Sequence, residues 1–390
     1  MKNFNILTVS PFFPPNRGGL SYHVLNLNTN LIKLGNSVSI IATRHLSENI
    51  SELNIGSKLT TRVSSLYLPG WPYPTLRSFS IPFDLGKKID NIIKKGSFDI
   101  VHVHGHHYPI SWFAIKSAKK YGVPSVLTLH GMYALDPNVL GGKSKIEDYF
   151  NRWVFNKYIS KNKAIIGLTN QITGYAKSYG TSLIKYFTIP NCVNTRTFED
   201  NMNNKSKFRE KFHLNQDSTV LLFLGRFEQV KGVVEFANAA NKITKDNKIE
   251  IIIAGAGALE SEVRSIVTGN KKIHLLSWQP YETIHELYIA SDIYVIPSTF
   301  EALPLTIIEA MNAGLHIVYT PVGGMPDILK GYGPKTLLNK VSTEEITAVL
   351  TGVVSNYSKT DLREPLAYAR QFDWRKISEE TVKVYSECVN

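Results

Sequence analysis

Short apolar segments rich in β-branched residues alternate along the chain with longer segments whose apolar residues recur every three to four positions. The first pattern predicts buried strands and the second predicts amphipathic helices, and their alternation is typical of parallel α/β sheets. We predict strands at residues 5–9, 37–42, 100–102, 125–128, 164–168, 219–224, 249–254, 272–276, 293–296 and 317–319. The two halves of this set suit two doubly wound α/β domains, whose ligands bind beyond the carboxyl ends of the strands.

The pattern is interrupted near residue 190, where Ile189-Pro190-Asn191 comes shortly before the polar segment EDNMNNKSKFRE. A chain of 390 residues is also too long for one ordinary core. We therefore predict an N-terminal domain over residues 1–190 and a C-terminal domain over residues 191–373. Residues 374–390 have the pattern of an amphipathic helix.

The composition is that of an ordinary globular protein, with 43% hydrophobic and 19% charged residues. No apolar run reaches the roughly 18 residues needed to span a bilayer, and MKNFNILTVS is too short and too polar for a signal peptide. Cys192 and Cys388 are the only cysteines, which argues against a disulfide framework and excludes a zinc site built on cysteines. We therefore expect a cytoplasmic protein.

The net charge of +12 is unevenly spread along the chain. Residues 1–190 hold 22 lysines and arginines against 8 acidic residues, whereas residues 191–390 hold 22 against 24. The excess of +14 in the first half indicates either solvated lysines or a face that meets anionic lipid or an anionic acceptor. The segment YLPGWPYPTLRSF at residues 67–79, followed by Lys87-Lys88 and Lys94-Lys95, favours a peripheral position at the inner face of the cell membrane. No basic-aromatic binding motif supports a nucleic-acid partner.

Two glutamates, Glu301 and Glu309, bracket the predicted start of a helix in the segment EALPLTIIEAMNAG. Pro304 suits the first helical position, and a glycine follows the last turn. The free amides of the first turn, from Leu305 and Thr306 onward, would form an anion site between the two carboxylates. Such a site suits a nucleotide-sugar, in which phosphates join two groups that carry hydroxyls.

This E-x7-E element resembles that of the retaining glycosyltransferases of family 4, the group 1 glycosyl transferases, which have the GT-B fold. The resemblance continues in order along nearly the whole chain, through PFFPPNRGGLSYHV at residues 11–24, DIVHVHG at 99–105, VLTLHG at 126–131, IPNCVNTRTF at 189–198 and FLGRFEQVKG at 223–232. It implies two Rossmann-like domains that face a central cleft. The first would hold the acceptor, the second would bind the nucleotide-sugar, and the last helix would cross back onto the first.

The resemblance also implies which residues contact the donor phosphates. Arg226 and Lys231 follow the strand TVLLFLG and would balance the charge of the departing diphosphate, although such cations could simply be solvated in a loop. Gly18 and Gly19 follow the first strand, where glycines let the backbone approach a phosphate, although this pair is also common in ordinary turns.

Roles for acids and a histidine come from the same resemblance. It assigns Glu309 to the ribose hydroxyls of the nucleotide and Glu301 to hydroxyls of the donor sugar. It puts His130, at the end of VLTL, against the transferred sugar or the acceptor. The glutamates could instead be acids that interact with the helix dipole, although a carboxylate beside a phosphate site favours binding of a hydroxyl. Without the resemblance, a strand-end histidine is more often bonded to backbone.

The run H-x-H-x-H-H, which contains His102, His104, His106 and His107, could hold a metal. We expect strand alternation to split these side chains between two faces, and the family needs no metal. No metal site and no cofactor are therefore expected.

We predict a metal-independent, retaining glycosyltransferase that moves a hexose-type sugar from a nucleoside-diphosphate-sugar to a hydroxyl of a carbohydrate or lipid-linked glycan acceptor. The enzyme alternative is a nucleotide-sugar epimerase or a phosphorylase on the same fold. The non-enzyme alternative is a catalytically silent partner that binds nucleotide-sugar. The chain departs from the family pattern at Cys192 and Asn194 in the hinge and at Pro304, where glycine is frequent, but it keeps the cations and glutamates.

Overall fold

The computed structural model describes residues 3–14, 16, 18–45, 59–65, 85–132, 145–245, 248–357 and 363–389. The chain divides into two compact units. The first unit contains residues 1–190 and 374–390, and the second contains residues 191–373.

The first unit is built on a seven-stranded parallel sheet with the order β3-β2-β1-β4-β5-β6-β7. Its strands are β1 (Asn5–Ser10), β2 (Ser37–His45), β3 (Leu59–Ser65), β4 (Ile100–His104), β5 (Ser125–Leu129), β6 (Ala164–Gly167) and β7 (Lys185–Thr188). Its helices up to the domain boundary are α1 (Gly19–Lys33), α2 (Leu85–Lys95), α3 (Pro109–Lys120), α4 (Lys145–Lys157) and α5 (Asn170–Tyr179). Strand order reverses at β1, since Ile6 pairs with Val38 of β2 on one side and with Ile100 of β4 on the other.

The second unit contains a six-stranded parallel sheet with the order β10-β9-β8-β11-β12-β13. Its strands are β8 (Thr219–Leu224), β9 (Ile249–Ala254), β10 (Ile273–Leu276), β11 (Ile293–Ile296), β12 (His316–Tyr319) and β13 (Lys335–Leu337). Its helices are α6 (Thr195–Asn201), α7 (Lys205–Lys211), α8 (Val233–Ile243), α9 (Glu260–Val267), α10 (Ile284–Ala290), α11 (Leu305–Asn312), α12 (Met325–Ile328), α13 (Thr343–Ser355) and α14 (Arg363–Ala369).

Buried contacts hold β8 and β11 side by side in the second unit. Asp292, the residue before β11, accepts hydrogen bonds from the Val220 amide of β8 at 2.8 Å and from Arg209 Nη2 of α7 at 2.6 Å. On one face of the sheet, Phe223 stacks on Phe236 of α8 with ring centroids 5.5 Å apart, within the apolar core. The loops that follow β8 and β11 therefore start from a rigid base.

The C-terminal helix α15 (Trp374–Val389) belongs to the first unit, as residues 374–390 do. It packs on α1 and β5, and its Tyr385 ring meets Phe4 edge-on with ring centroids 6.0 Å apart. Among the described helices, none combines the length and the apolar character that crossing a bilayer requires.

The prediction of two doubly wound α/β domains is confirmed, and each predicted strand is present with ends that differ by at most three residues. The strands that the sequence did not predict are β3, β7 and β13, which all lie at sheet edges. An edge strand pairs on one side only and needs less apolar surface. β7, for example, has two exposed and two half-buried residues and lacks the apolar run that marks the central strands.

Candidate functional site

The predicted donor-site residues of the second unit follow β8 and β11, the adjacent strands at which the strand order reverses. Arg226 comes two residues after β8, and Glu301 comes five residues after β11. In open α/β sheets, ligands bind beyond the carboxyl ends of the strands at such a reversal. The fold therefore brings these residues to the edge of the sheet where a ligand is expected.

Lys231 and Glu301 form an ion pair at this edge. The Lys231 Nζ lies 2.5 Å from Glu301 Oε1, and the two side chains are only 18% and 9% exposed. The Ser298 hydroxyl donates to the same carboxylate oxygen at 2.9 Å. The backbone of Gly232 is left-handed, and a side chain there would place Cβ 2.3 Å from the carbonyl oxygen of Pro297. Glycine thus allows the loop after β8 to approach the loop after β11.

Arg226 is more exposed than Lys231 and lies beside the carboxylate of Glu228, with which its Nη1 forms an ion pair. The loop that carries it packs closely against the loop after β9. A Cβ at Gly255 would lie 1.9 Å from the carbonyl oxygen of Gly225, so this approach requires glycine. The guanidinium remains accessible to an anion at the end of β8.

Helix α11 begins at Leu305, and the amides of Leu305 and Thr306 lie in its first turn. Glu301 precedes the helix and Glu309 lies within it, in agreement with the prediction. Pro304 is the N-cap and not the first helical residue, so that prediction was off by one position. Upstream, the Asn191 side-chain amide donates to the carbonyl of Leu303 at 2.6 Å, a support that the sequence did not reveal.

Glu309 is deeply buried, with 2% of its surface exposed. Its Oε2 accepts a hydrogen bond of 2.7 Å from the hydroxyl of Tyr288, which is fully buried on α10. Burial raises the pKa of Glu309 to about 7, and the Tyr288 hydroxyl opposes that rise. A ribose hydroxyl would therefore have to reach the other carboxylate oxygen or displace Tyr288.

Glu309→Gln is expected to stabilise the folded protein at high pH. Between about pH 4.3 and 7 the folded state keeps a proton that the unfolded chain releases, so the free energy of unfolding falls as the pH rises. Glutamine does not titrate and retains an acceptor for Tyr288. We expect the variant to be more stable than the wild type by up to about 3 kcal/mol near pH 8, and by little near pH 4.

Urea denaturation at both pH values measures this difference. Glu262→Gln on α9, which removes an exposed carboxylate from the same unit, is the matched control and should show no such pH dependence. An equal effect of Glu309→Gln at both pH values would contradict the elevated pKa.

Gly18 and Gly19 lie at the carboxyl end of the first unit's sheet, where the strand order reverses at β1. Gly18 precedes α1 and has a φ of 145°, a conformation that side chains rarely adopt, and its carbonyl accepts from the amide of Tyr22 at 3.1 Å. Gly19 is the first residue of α1. Their position matches the prediction of a glycine turn that opens a helix, and their role toward phosphate stays a prediction.

His130 follows β5 and lies against two other histidines: His104, which the sequence suggested only as part of a possible metal-binding run, and His23, which it did not suggest. Its Nε2 lies 3.1 Å from Nδ1 of His104 at the end of β4, and its ring lies 4.6 Å from that of His23 on α1. Burial lowers the pKa values of His104 and His130 well below the usual range, so both rings are neutral at pH 7. The available signal was that His104 ends β4, His130 follows β5 and His23 lies near the start of α1, so that all three lie toward one edge of the sheet.

The expected split of the H-x-H-x-H-H run between two faces is wrong for its first two members. His102 and His104 are two residues apart, so they share a face of β4, and their ring centroids are 4.3 Å apart. His106 and His107 come after the strand, and all four are buried. His102 is held by the Tyr385 hydroxyl at 2.6 Å and the Thr128 hydroxyl at 2.8 Å.

Two family sequence models match this chain. The model described as Glycosyltransferase Family 4 matches residues 17–197, and the one described as Glycosyl transferases group 1 matches residues 204–371. Among similar proteins, the phosphatidylinositol N-acetylglucosaminyltransferase GPI3 subunit of Saccharomyces cerevisiae is 24% identical over 98% of this chain and 83% of its own length. The UDP-Gal:alpha-D-GlcNAc-diphosphoundecaprenol alpha-1,3-galactosyltransferase of Escherichia coli is 29% identical over 66% of this chain and 67% of its own length.

Solved structures share the fold over nearly the whole chain. Sucrose-phosphate synthase from Thermosynechococcus elongatus has a TM-score of 0.78 at 14% identity and covers 98% of both chains. Anabaena HepE, crystallised with UDP and glucose, has a TM-score of 0.72 at 15% identity and covers 98% of this chain and 100% of its own. Two doubly wound domains in this order form the GT-B class of fold, which these solved structures share. Within that class, the chain belongs to the family 4 glycosyltransferases.

Proposed function

We propose that the protein is a retaining glycosyltransferase that needs no metal and moves a hexose-type sugar from a nucleoside-diphosphate-sugar to an acceptor hydroxyl. The observation that carries the proposal is the Lys231–Glu301 pair at the point where the strand order of the second unit reverses. The Lys231 ammonium can bind a phosphate, and the Glu301 carboxylate can accept hydrogen bonds from sugar hydroxyls. The name of the E. coli relative, which includes UDP-Gal, and the HepE structure with UDP and glucose support a nucleotide-sugar donor.

The departing diphosphate gains negative charge as its bond to the sugar breaks, and fixed cations and amides stabilise that charge. Lys231, Arg226 and the first-turn amides of α11 are the groups that we assign to this task. Lys231 and the amides are preorganised, since Lys231 is held by Glu301 and the amides are part of a helix. We infer that they supply the charge balance that a divalent ion would otherwise provide.

Glu301 and Glu309 are assigned to the hydroxyls of the donor. When a phosphate approaches Lys231, the Glu301 carboxylate is freed from its cation and can accept hydrogen bonds from the sugar. Both members of the pair then keep a partner, so neither is left as an uncompensated, largely buried charge. We assign Glu309 to the ribose, through the oxygen that Tyr288 does not occupy.

Retention requires the new bond to form on the face from which the phosphate leaves. The bond between the sugar's anomeric carbon and the phosphate oxygen breaks, and the acceptor oxygen bonds to that carbon on the same face. The acceptor's proton passes to the departing phosphate oxygen, so no protein group needs to act as a general base. His130, whose Nε2 already meets His104, is assigned to contact the transferred sugar or the acceptor.

Transfer activity is expected to survive chelation. The test follows the release of nucleoside diphosphate from a panel of nucleotide-sugars, with and without EDTA, and determines the anomeric configuration of the product. Unchanged rates in EDTA and a retained configuration are expected, because Arg226, Lys231 and helix amides balance the phosphate charge.

Three results of this test would contradict the proposal. Complete loss of activity in EDTA with rescue by one metal would refute metal independence. Epimerised donor without transfer would favour an epimerase, and donor binding without turnover would indicate a catalytically silent protein.

We further propose that the acceptor is lipid-linked and that the enzyme works at the cytoplasmic face of a membrane. Phosphatidylinositol and diphosphoundecaprenol appear in the names of the two relatives. The charge excess of the first half also favours an anionic surface. The segment at residues 67–79 lies outside the described residues, but the four lysines of α2, Lys87, Lys88, Lys94 and Lys95, are exposed.

A second group of side chains in the first unit has the same chemistry. This group lies on α3, on α4 and just after α4, and consists of Phe113, Lys116, Tyr149, Trp153, Lys157 and Lys161. Its aromatic members are 39%, 75% and 38% exposed, and the Lys157 Nζ lies 4.8 Å from the Trp153 ring centroid. Burial lowers the pKa of Lys161, and the nearby ammonium groups of Lys116 and Lys157 lower it further. Exposed aromatics among concentrated positive charges suit the headgroup region of a bilayer.

The protein is therefore expected to co-sediment with anionic liposomes at low salt and to be released at high salt. Changing Lys87, Lys88, Lys94 and Lys95 to glutamine should weaken binding at least about tenfold, since each cation near anionic lipid contributes roughly 1 kcal/mol. The matched control changes four exposed lysines of the second unit, Lys245, Lys271, Lys330 and Lys340. Absence of binding at low salt, or equal loss in both variants, would favour a soluble enzyme with a soluble acceptor.

A further inference from the structure

Three histidines meet at the carboxyl edge of the first unit's sheet. His23 lies on α1, His104 ends β4 and His130 follows β5. One ring nitrogen from each lies within 4.8 Å of the others. We propose that His23, His104 and His130 bind a borderline transition-metal ion such as zinc, and that sugar transfer does not require this ion.

The closest pair of nitrogens already has the spacing of a metal site. His104 Nδ1 and His130 Nε2 are 3.1 Å apart. With zinc–nitrogen bonds of about 2.0–2.1 Å, two ligands of a tetrahedral ion are separated by roughly 3.3 Å. An ion can therefore replace the hydrogen bond between these rings with little movement. His23 then needs to approach by at most roughly 1.5 Å to complete three ligands.

A second observation points to a missing partner in the same cluster. His104 is fully buried, and its Nε2 has no hydrogen-bond partner within the described part of the chain. A buried polar nitrogen left unpaired is unfavourable, and a bound ion or water is a common explanation. Nε2 points away from Nδ1, so an ion held by Nδ1 would leave this nitrogen for a water, and the proposed metal site rests on the positions of the three rings.

The chemistry of the cluster selects the kind of ion. Within the described residues the group consists of imidazoles alone, without a carboxylate. Imidazole nitrogens suit Zn²⁺, Co²⁺, Ni²⁺ and Cu²⁺ and not the oxygen-seeking Mg²⁺ or Ca²⁺. Three histidines leave a fourth tetrahedral position for water.

The neighbouring His102 lies beside the proposed site and is held in place by hydrogen bonds. Both of its ring nitrogens are used, one with the Tyr385 hydroxyl and one with the Thr128 hydroxyl, so it is not a ligand. Its ring packs against that of His104 and limits the positions that His104 can take. The Trp374 ring has its centroid 5.2 Å from that of His23 and limits the positions that His23 can take.

Occupation of the site has a consequence for turnover that rests on the proposed function. A metal-bound His130 could not contact the sugar or the acceptor through Nε2. Zinc is therefore expected to inhibit transfer, and a chelator to restore it. This inhibition is separate from metal binding, which needs neither donor nor acceptor.

The test uses the full chain without an affinity tag, stripped of metal, in the absence of donor and acceptor. Calorimetric titration with Zn²⁺ should show one ion per chain, unaffected by excess Mg²⁺, and Co²⁺ should give the visible absorption of a tetrahedral site. Loss of a residue that hydrogen-bonds to a metal ligand typically weakens metal affinity by roughly 10–100-fold. His130→Asn and His23→Asn remove ligands themselves, so each should weaken zinc binding by more than that. His213→Asn is the control, because His213 is exposed with a φ of 56° that asparagine tolerates.

Circular dichroism of each variant checks folding, and the half-buried His130 is the milder of the two substitutions. No saturable zinc binding, or binding unchanged in both folded variants, would overturn the metal site. Equal weakening in His213→Asn would place the ion elsewhere and overturn it too. Intact zinc binding by a protein that fails to transfer sugar would count against the proposed function alone.

Discussion

Replacing Lys231 by alanine is expected to lower turnover by roughly 10²-fold or more, which is the scale of losing one preorganised charge contact. The Lys231 ammonium is held 2.5 Å from Glu301, at the edge where β8 and β11 end. Arg226→Ala is expected to have an effect of the same order, because its guanidinium follows the same strand. Turnover is measured as release of nucleoside diphosphate at saturating donor.

Two controls make this result specific. Lys242→Ala and Arg264→Ala remove exposed, salt-bridged cations from the same unit and should leave turnover unchanged. Lys231→Ala also leaves Glu301 without its cation, which can destabilise the fold. The double variant Lys231→Ala/Glu301→Gln removes that unpaired carboxylate. Turnover close to wild type in both single cation variants would end the assignment of Arg226 and Lys231 to the donor phosphates.

Above pH 7, where Glu309 is ionised, Glu309→Ala is expected to weaken the binding of nucleoside diphosphate by roughly 1.5–3 kcal/mol, the cost of a hydrogen bond to a charged group. Glu301→Ala is expected to leave that affinity largely unchanged and to lower the rate of the chemical step, because we assign it to the sugar. Calorimetry with the diphosphate and single-turnover kinetics with the complete donor separate these two effects.

Tyr288→Phe distinguishes a direct role of Glu309 from a structural one. This change removes the hydroxyl that donates to Glu309 Oε2 but keeps the ring and the carboxylate. If Glu309 contacts the ribose, Tyr288→Phe should retain most of the affinity that Glu309→Ala loses. Equal losses in the two variants would indicate that Glu309 acts through packing. Control of diphosphate affinity by Glu301 and not by Glu309 would mean that the two roles are reversed.

Much of the fold could be predicted from sequence, because the central strands are short, buried and apolar on both faces. β8, β9 and β11 have the predicted ends for this reason. The edge strands β3, β7 and β13 were not predicted, since an edge strand has one unpaired side and can carry polar residues that resemble those of a loop, whereas the more apolar edge strand β10 was predicted. The start of α11 was predicted to within one residue, because proline and the following amides act within a single turn.

The tertiary contacts of side chains were harder to predict than the placement of residues within helices and strands. The placement of Glu301 before a helix and Glu309 within it follows from local sequence. That Glu309 would be buried against Tyr288, with a raised pKa, depends on how α10 packs on α11. The prediction for the histidine run was wrong for a different reason. Residues two apart in a strand share a face, so the spacing of His102 and His104 along β4 was enough to place them together.

The sequence by itself determined the class of fold, the order of the motifs and the family, because these depend on local periodicity and on short segments that keep their order. Only the tertiary structure decided which distant side chains meet. Lys231 and Glu301 are 70 residues apart and are joined because β8 and β11 are neighbours in the sheet. His23, His104 and His130 meet because β1, β4 and β5 are adjacent and end at one edge. Strand order sets these distances, and local hydrophobic periodicity carries no information about strand order.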